Sequence, residues 1–502
     1  MTNTLFDALM GPRKGEDRDF LILQNGAALS YDDIYRLSGQ MANMLTQTGV
    51  QPGDRVAVQV EKSPQALALY LAAVRAGAVF LPLNTAYTAA EIGYFVGDAE
   101  PALVVCDPSR QARRDDFMPP EGRLMTLDAD GRGSLSDAAA ACPERHDPVA
   151  RGGADLAAIL YTSGTTGRSK GAMLSHDNLL SNARTLADAW RFTAQDVLLH
   201  ALPIFHTHGL FVASNVSMLT GGAMIWLPKF DADTVIRLLP RATAMMGVPT
   251  FYTRLLDRDD FTGDLVRDMR LFTSGSAPLL AETHRAFEDR TGHRILERYG
   301  MTETNMNTSN PYDGERRAGT VGFPLPGVEL KITGEDGAEL PQGEIGLIEV
   351  RGDNVFQGYW RMPEKTAEEL GADGWFKTGD LGMIDPDGYV VIVGRGKDLI
   401  ISGGFNIYPK EVELLIDEMP GVLESAVIGV PHPDFGEGVV AVIARDRTTP
   451  PDPQQIMAGL SDRLARFKQP KKVIVIDELP RNTMGKVQKA ALRAEYADLF
   501  TT

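Results

Sequence analysis

The sequence has few cysteines, a shortage of cations and no long apolar run. Its two cysteines, Cys106 and Cys142, cannot form a disulfide framework, so we expect a reducing compartment, the cytoplasm. The most apolar run, Ala66 to Leu83, is interrupted by Arg75 and Gly77, and the N-terminus lacks a signal-peptide core. We therefore expect no membrane insertion.

Acidic residues outnumber basic ones by 67 to 50, which gives a net charge of −17. This excess argues against a nucleic acid or an anionic membrane surface as a partner. An anionic substrate would need a locally positive pocket, because the overall field repels it. The length of 502 residues predicts two or more domains.

Strand and helix patterns alternate over the first half of the chain, which predicts βαβ units and a mainly parallel sheet. The predicted helices are Tyr31–Gly49 and Pro64–Ala76, the second capped by Ser63. The predicted strands are Arg55–Val60, Val79–Leu83, Leu103–Cys106, Leu156–Leu160, Val197–Leu202, Ala223–Leu227 and Ala244–Val248. The charged region 109–150 is predicted to be a surface excursion.

The pattern changes near residue 320. Short strands separated by the turns Glu335-Asp-Gly337 and Pro386-Asp-Gly388 predict antiparallel β structure over residues 328–393. The remainder predicts a small α+β domain with helices Pro409–Met419 and 453–467 and strands Glu424–Val430, Val439–Ala444 and Lys472–Ile476. The fold class is therefore α/β, with a large N-terminal domain, a β-rich part at about 320–394 and a small C-terminal domain.

The stretch Tyr161-Thr-Ser-Gly-Thr-Thr-Gly-Arg-Ser-Lys-Gly171 lies between the strand ending at Leu160 and a helix predicted to start at Asp177. Its glycines permit the positive φ that turns successive amides inward, and a polyphosphate is the natural guest of such a loop. A polar linker is the alternative reading. A Walker-type P-loop is excluded, because Gly171 rather than Ser or Thr follows Lys170.

Three further stretches carry chemistry. In Glu297-Arg-Tyr-Gly-Met-Thr-Glu303, Tyr can stack on a base, Thr can bond a phosphoryl oxygen and Glu can hold Mg²⁺. Phe272-Thr-Ser-Gly-Ser-Ala-Pro-Leu279 predicts a strand, a tight small-residue turn and a helix. In Phe205-His-Thr-His208 the histidines would share one face of a strand, but without a third ligand nearby zinc is disfavoured.

These motifs resemble those of the adenylate-forming superfamily, which includes acyl-CoA synthetases, peptide-synthetase adenylation domains and firefly luciferase. The resemblance implies an N-terminal domain 1–394, a hinge at 395–397 and a C-terminal domain 398–502 that swings between two half-reactions. It also implies ATP and coenzyme A as co-substrates and Mg²⁺ as cofactor.

The resemblance further implies roles for individual residues. Catalysis falls to Lys486, Thr302, Glu303 and His206, with Glu303 also holding Mg²⁺; His208 is left undecided. The coenzyme A tunnel and the hinge comprise Lys397, Ser402, Gly403 and Gly404. Contacts with ATP or AMP are implied for Thr162, Ser163, Gly164, Thr165, Thr166, Gly167, Arg168, Lys170, Gly275, Ser276, Ala277, Glu297, Tyr299, Gly300, Thr302, Asp380, Arg395 and Lys486.

Arg298 predicts the kind of acid. Apolar pockets suit fatty or aromatic acids, whereas a short diacid presents a second carboxylate that needs a cation. Arg298 stands immediately before Tyr299, at a position that the resemblance places in the acyl pocket with His206 and Ser276, and it would supply this cation. Pairing with Glu297 or another acid is its alternative role, and Arg285 is a weaker candidate. The stretches Pro203–Leu210 and Gly358–Lys365 also resemble bacterial malonyl-CoA synthetases, which implies malonate as substrate and methylmalonate as a side substrate.

Three alternatives stay open at this stage. The chain could activate another short, medium-chain or aryl acid, load a carrier protein, or bind a nucleotide without catalysis. Only 16 residues follow Lys486, and no carrier motif is among them.

Lys486 is also a plausible target of a lysine acetyltransferase and deacetylase, because acetylation would remove its charge. Lys489, three residues further on, is the neighbouring candidate for the catalytic role of Lys486.

Overall fold

The computed structural model describes residues 2–118, 122–162, 169–403, 405–446, 450–461, 463–482 and 485–500. By the density of its contacts the chain divides into two compact units. The first comprises Met1–Ala318, Gly322–Glu329 and Val350–Phe376, and the second comprises Gly319–Val321, Leu330–Glu349 and Lys377–Thr502.

The strands within these ranges are β1 (Asp19–Leu23), β2 (Ala28–Ser30), β3 (Arg55–Gln59), β4 (Val79–Pro82), β5 (Leu103–Cys106), β6 (Leu124–Thr126), β7 (Leu156–Thr162), β8 (Lys170–Ser175), β9 (Val197–His200), β10 (Ala223–Trp226), β11 (Ala244–Gly247), β12 (Leu271–Ser274), β13 (Leu296–Met301), β14 (Asn305–Ser309), β15 (Phe323–Pro324), β16 (Val328–Thr333), β17 (Gly346–Gly352), β18 (Phe376–Ile384), β19 (Val390–Arg395), β20 (Ile400–Ser402), β21 (Phe405–Ile407), β22 (Val422–His432), β23 (Gly436–Arg445) and β24 (Lys472–Ile476).

The α-helices are α1 (Thr4–Leu9), α2 (Tyr31–Gln47), α3 (Pro64–Arg75), α4 (Ala89–Ala99), α5 (Pro108–Gln111), α6 (Ser134–Ala140), α7 (His176–Ala189), α8 (Asn215–Thr220), α9 (Ala232–Leu238), α10 (Pro249–Leu256), α11 (Ala281–Thr291), α12 (Pro363–Glu369), α13 (Pro409–Asp417), α14 (Pro453–Ser461) and α15 (Lys489–Glu495). A π-helix spans His208–Ser214 immediately before α8.

The first unit contains two sheets. One has the strand order β6-β5-β3-β4-β7-β8, parallel from β6 to β7 and closed by the antiparallel β8. The other has the order β15-β14-β13-β12-β11-β9-β10-β1-β2, and its central strands, from β13 to β1, are parallel. The parallel strands are nearly continuous runs of buried apolar residues, as expected where helices cover both faces.

The second unit is largely antiparallel. A four-stranded sheet in the order β16-β17-β18-β19 falls mainly within it, and a smaller sheet has the order β21-β20-β23-β22 with β24 parallel to β23. Helices α13 and α14 pack on the smaller sheet, with Val412, Ile416 and Ile456 buried against its strands. The α/β architecture predicted from the sequence is confirmed.

Several local predictions are confirmed. Helices α2 and α3 form where predicted, and the Ser63 side chain accepts a hydrogen bond from the Ala66 amide at the start of α3. The parallel strands of the first half and the antiparallel β18–β19 pair of the later region are also present. These elements have the clearest local periodicity and caps.

Other predictions are wrong. The region 109–150 is more than a surface excursion, because β6 extends the first sheet and α6 buries Leu135 and Ala139. The predicted helix 453–467 ends at Ser461 in α14. Strand β8 begins within the phosphate-loop stretch, at Lys170, and precedes α7, because the apolar run Ala172–Leu174 pairs with β7.

No helix in the part of the chain that the structure describes is both long and apolar enough to cross a membrane.

Candidate active site

The ends of β12 and β13 bring the predicted acid-binding residues together. These strands are parallel neighbours, with Ser274 opposite Glu297, so the turn after β12 and the side chain of Arg298 lie at the same edge of the sheet. Ser276 adopts a left-handed φ of 69° in that turn. A Cβ on Gly275 would lie 2.2 Å from Nη1 of Arg298, so the guanidinium occupies space that only glycine leaves.

Arg298 is a buried cation with two unused donors. The residue is 3% exposed, and its Nε and Nη2 atoms have no hydrogen-bond partner among the described residues. Burial lowers the pKa of the guanidinium to about 9, while Tyr252 and Glu297 act to raise it, so it stays charged at neutral pH. Nε and Nη2 form one edge of the guanidinium, and this edge can bind a carboxylate with two parallel hydrogen bonds.

His208 lies beside this cation. It is fully buried, its Nδ1 is 3.2 Å from the Ser276 hydroxyl oxygen, and its Nε2 has no hydrogen-bond partner among the described residues. Burial, and then the positive charge of Arg298, hold the pKa of its imidazole well below the ordinary value. The ring is therefore neutral and can contribute one N–H donor or one acceptor to a ligand.

The two histidines of the Phe205–His208 stretch do not lie on a strand. His208 is the first residue of the π-helix, and this helix type is frequent at functional sites. His206, which the sequence favours, is half-buried, and its Nδ1 accepts the His208 amide at 3.3 Å. Arg285, the weaker cation candidate, is exposed on α11. The structure therefore groups Arg298 with Ser276 and His208, and leaves Arg285 in solvent.

The structure describes the position of Lys170, one of the two cations in the phosphate-loop stretch. It starts β8 opposite Thr162, its Nζ lies 3.0 Å from Glu369 Oε1, and it stands 4.0 Å from the centre of the Tyr359 ring. The predicted phosphate contacts Ser163, Gly164, Thr165, Thr166, Gly167 and Arg168 lie outside the described residues.

Glu303 shares a hydroxyl with this cluster. The Tyr359 hydroxyl lies 2.6 Å from Glu369 Oε2 and 3.1 Å from Glu303 Oε1. One O–H can be donated fully to only one of these carboxylates. Burial raises the pKa of Glu303, and Lys170 lowers it. An additional cation would therefore stabilise the ionised form of the Glu303 carboxylate.

The donor set fits Mg²⁺ better than a protein-caged metal. No group of three or more His, Cys, Asp or Glu side chains within the described ranges could hold a metal ion. Mg²⁺ is commonly bound by one or two carboxylates together with water and substrate phosphates. The buried Glu303 carboxylate satisfies that requirement by itself.

The remaining nucleotide candidates of this unit line β13 and the turn that follows it. Tyr299 and Thr302 are half-buried, and a register shift between Tyr299 and Gly300 marks a bulge in the pairing of β13 with β14. A Cβ on Gly300 would lie 1.8 Å from the Asn305 carbonyl oxygen, so the bulge requires glycine. Glu297 Oε1 accepts the Leu279 amide at 3.2 Å and so fixes the turn that contains Ala277.

In the second unit, Asp380 and Arg395 face each other across β18 and β19. They are register partners, and Nε of Arg395 lies 3.1 Å from Oδ1 of Asp380. Asp380 is 4% exposed. The pair presents a carboxylate held in place by a cation, which is the chemistry that a ribose diol requires.

Lys486 belongs to the same electrostatic group. Burial lowers its pKa to about 8; the charges of Arg395 and Lys397 also lower it, and Asp380 and Asp398 raise it. The structure therefore brings Lys486 near the two residues predicted to bind ribose and near the predicted hinge. These relations all lie within the second unit.

The predicted coenzyme A residues lie on a short hairpin of the second unit. Ser402 ends β20 and is 4% exposed, and Gly403 has a φ of 60° and donates its amide to the Phe435 carbonyl at 2.8 Å. Lys397 is exposed in a single 3₁₀ turn after β19. Gly404 lies outside the described residues.

Sequence reasoning missed Tyr359 and Glu369 and did not decide on His208. Tyr359 and Glu369 follow the phosphate loop by about two hundred positions, and backbone pairing of the Tyr359 segment with β8, as between Tyr359 and Ala172, places them beside Lys170. The signal for His208 was its position two residues after His206, but the π-helix that aims it has no clear sequence pattern. For all three residues the information is tertiary.

The chain is similar to known proteins along most of its length. A family profile described as AMP-binding enzyme matches residues 11–360, and one described as AMP-binding enzyme C-terminal domain matches residues 411–486. The crystal structure of ATP-bound MatB from Rhodopseudomonas palustris is 60% identical, with full coverage of both chains and a TM-score of 0.97. A malonate–CoA ligase of Arabidopsis thaliana is 35% identical over 91% of this chain and 80% of its own length. A sulfoacetate–CoA ligase of Cupriavidus necator is 35% identical over 95% of this chain and 94% of its own length.

Proposed function

The chain belongs to the AMP-binding enzyme family, and from its similarity to MatB and to a malonate–CoA ligase we propose that it ligates malonate to coenzyme A at the expense of ATP. In the first half-reaction a malonate carboxylate attacks the α-phosphate of ATP, and pyrophosphate leaves. In the second, the thiol of coenzyme A attacks the carbonyl of malonyl-adenylate, its proton is lost, and AMP leaves. The products are malonyl-CoA, AMP and pyrophosphate.

Arg298 is the observation that carries the choice of acid. One carboxylate of malonate reacts, and the other must be buried as a charge, which costs several kcal/mol unless it is paired. The Nε–Nη2 edge of Arg298 offers the matching pair of donors in a buried position. His208 and Ser276 add neutral hydrogen-bonding groups beside it. A monocarboxylic acid would leave this cation buried without a counter-charge.

We assign the binding of ATP to the following residues. Lys170 and Thr302 bind phosphoryl oxygens, Tyr299 stacks on adenine, and Asp380 with Arg395 binds the ribose. Lys486 offsets the charge that develops as the carboxylate attacks the α-phosphate. Positioning and charge neutralisation carry this step, so no side-chain nucleophile is needed.

Glu303 is the residue that would hold Mg²⁺. When bound, the ion shields the negative charge of the phosphates. The chain's own contribution is to keep this carboxylate buried and oriented by the Tyr359 hydroxyl, with Lys170 close by. His206 is assigned to the channel where the acyl carboxylate meets coenzyme A, and Ser402, Gly403 and Gly404 to the wall of the pantetheine tunnel.

The test is coenzyme A-dependent AMP formation with malonate, methylmalonate, succinate, sulfoacetate, acetate and octanoate. We expect malonate to give the highest kcat/KM in the wild type. Arg298→Met should lower kcat/KM for malonate by about 100-fold or more, the size expected when a charged partner is removed from a buried pair. The KM for ATP should change little.

Arg285→Met serves as the comparison variant, because Arg285 is an exposed arginine eight positions after the end of the Gly275–Ala277 turn. Its activity with malonate should match the wild type. A preference for acetate or octanoate contradicts the malonate assignment. An undiminished malonate activity in Arg298→Met contradicts the role of Arg298 and means that the counter-charge lies elsewhere.

Sulfoacetate is the second candidate substrate. Its sulfonate is also an anion that a guanidinium can bind, and a relative of similar identity is a sulfoacetate–CoA ligase. The same panel separates the two acids by their kcat/KM ratio. Methylmalonate should follow malonate closely, since one methyl group changes discrimination by only about 1–3 kcal/mol.

We also propose that the reaction takes place in the cytoplasm, where ATP and coenzyme A are available.

We further propose that Lys486 is open to acetylation. Acetylation removes the lysine charge. It should abolish adenylation while thioester formation from supplied malonyl-adenylate continues.

A further inference from the structure

The segment that carries Lys486, residues 481–489 apart from the undescribed residues 483 and 484, is held by a charged side chain at each end. We name it the Lys486 loop. Arg481 stands at its start and Lys489 at its end, and each pairs with a carboxylate of another element of the second unit. Neither residue has a role in the proposed chemistry.

Arg481 fixes the first half of the loop. It forms an ion pair with Glu424 on β22, and its Nη1 donates to the Gly485 carbonyl oxygen at 2.6 Å. Gly485 immediately precedes Lys486 and has a φ of 75°. Because glycine has no side chain, its backbone can adopt many conformations besides this one. The bond from Arg481 restricts that freedom at the peptide that leads into Lys486.

Asn482 continues this half of the loop. Its Oδ1 accepts the Lys486 amide at 2.9 Å, and its own amide donates to the Lys486 carbonyl oxygen at 2.9 Å. The backbone of Lys486 is thus tied to the residue next to Arg481. Displacement of Arg481 from Glu424 would pass directly to Lys486.

Lys489 fixes the second half. Its Nζ lies 2.5 Å from Glu413 Oε1, and the same carboxylate oxygen accepts the Val427 amide of β22 at 2.9 Å. Glu413 is 6% exposed on α13, so it is a largely buried anion. One carboxylate therefore joins α13, β22 and the start of α15.

The position of Lys489 is otherwise unfavourable. It is the first residue of α15, and a cation at a helix N-terminus opposes the helix dipole by about 0.3–1 kcal/mol. An acidic residue would suit this position better. The buried Glu413 supplies a local reason for lysine here, because without Lys489 its charge would lose its closest cation.

We propose that Arg481 and Lys489 are positioning residues that fix Lys486 for the adenylation half-reaction, an inference that rests on the proposed role of Lys486. Each joins one end of the Lys486 loop to a carboxylate on the sheet or on α13. Neither touches substrate. A side chain that stabilises developing charge must be placed within a fraction of an ångström, and a misplacement of 1 Å can cost about 100-fold in rate.

The test measures the two half-reactions separately in Arg481→Met and Lys489→Met. Adenylation is followed by pyrophosphate release from ATP and malonate, and thioester formation by coenzyme A consumption with supplied malonyl-adenylate. We expect adenylation to fall by about 10- to 100-fold through kcat, with the KM for ATP near the wild-type value. Thioester formation should stay within about twofold.

The matched control is Arg445→Met, which breaks another arginine–carboxylate pair of the same unit, with Asp477, far more exposed to solvent. It should leave both half-reactions unchanged. Arg481→Lys and Lys489→Arg keep the charge and should restore part of the adenylation rate. An equal loss in both half-reactions, or no loss in adenylation, overturns the inference.

Failure of the proposed function gives a different result. If the wild type releases no pyrophosphate with malonate, the substrate assignment is wrong, and the same comparison is made with whichever acid of the panel it does activate. If Arg481→Met does not fold, the pair is tested from its other side by Glu424→Gln, which should cause the same selective loss of adenylation. A Glu424→Gln variant with full adenylation activity contradicts the role of Arg481.

Discussion

Arg298 is charged and buried before its partner arrives. Its pKa falls from 12.5 to about 9 because burial removes water from the guanidinium. A shift of this size means that the folded chain pays for an isolated cation in stability. A bound dicarboxylate removes that penalty, so part of the substrate's binding free energy comes from relief of strain in the protein's own electrostatics.

Lys486 differs from Arg298, because its pKa of about 8 lies close to working pH. Burial and the neighbouring Arg395 favour the neutral amine, whereas the role that we propose for Lys486 in adenylation needs the cation. We expect kcat/KM for ATP in the pyrophosphate-release assay to fall above pH 8, by about tenfold per pH unit. Lys486→Arg keeps its proton through this range and should move the decline to higher pH.

The same pH series contains its own check. If Lys486→Arg retains measurable adenylation and the decline stays near pH 8, another group is titrating and the assignment to Lys486 is wrong.

At the scale of elements, α13 and β22 share a cluster of acids. Burial raises the pKa of Asp417 to about 7, and its Oδ1 accepts the Ser425 hydroxyl at 2.6 Å. Glu413 and Glu424 both add to this rise through their negative charge. The two carboxylates that anchor the Lys486 loop therefore also oppose the ionisation of Asp417.

Asp417→Asn should stabilise the protein at alkaline pH. Since the folded pKa of this acid is above its unfolded value, the folded chain holds the proton longer, and the free energy of unfolding falls as pH rises from about 4 to 7. Asparagine removes this loss and keeps an acceptor for Ser425. We expect a gain of roughly 2 kcal/mol at pH 8, after discounting for partial exposure, and a smaller gain towards pH 5.

Thermal unfolding at both pH values measures this effect. Asp477→Asn, at an exposed aspartate of the same unit, is the control and should show no such pH-dependent difference. A gain that is equal at pH 5 and pH 8 would contradict a cause in the ionisation of Asp417.

Sequence patterns predict the elements whose signals are local. Helix α3 has Ser63 and Pro64 at its start, and the buried strands β4 and β5 are short apolar runs next to turns. Periodicity and capping are properties of a few neighbouring residues, so these elements follow from the sequence alone. The order of strands in the nine-stranded sheet does not follow in the same way, because it depends on distant pairings.

The failures are equally physical. Strand β8 forms because β7 offers it an edge, and α6 forms over a region whose composition predicts only exposure. For the site, Arg298 was found because it stands immediately before Tyr299, at a position that lines the acyl pocket in the family that the chain resembles. The contact of His208 with Ser276 and the proximity of Tyr359 to Glu303 required the fold.

At the scale of the whole molecule, charge opposes the substrates. The chain has a net charge of −17, while ATP, malonate and coenzyme A are all anions. The cations that we propose to bind them are buried or paired, as Arg298, Lys170 and Arg395 illustrate. Long-range repulsion and short-range attraction therefore act on the same approach path.

This balance predicts a rising salt dependence. Addition of potassium chloride from about 0.01 to 0.15 M shortens the screening length from about 30 to 8 Å, which weakens the distant repulsion more than the close contacts. We expect kcat/KM for malonate to increase over this range. A decrease would mean that the local cations already dominate the field at the entrance.

The guanidinium edge of Arg298 has one more consequence, which concerns carbon rather than affinity. Malonate joined to a phosphate or a thioester is a β-carbonyl acid, and such acids lose carbon dioxide when the charge of the free carboxylate moves onto the adjoining carbon. A dry, apolar pocket would promote that loss, because it destabilises the localised charge. Two hydrogen bonds from a fixed cation hold the charge on the carboxylate oxygens instead. The residue that selects the diacid would thus also deliver it with all three carbons intact.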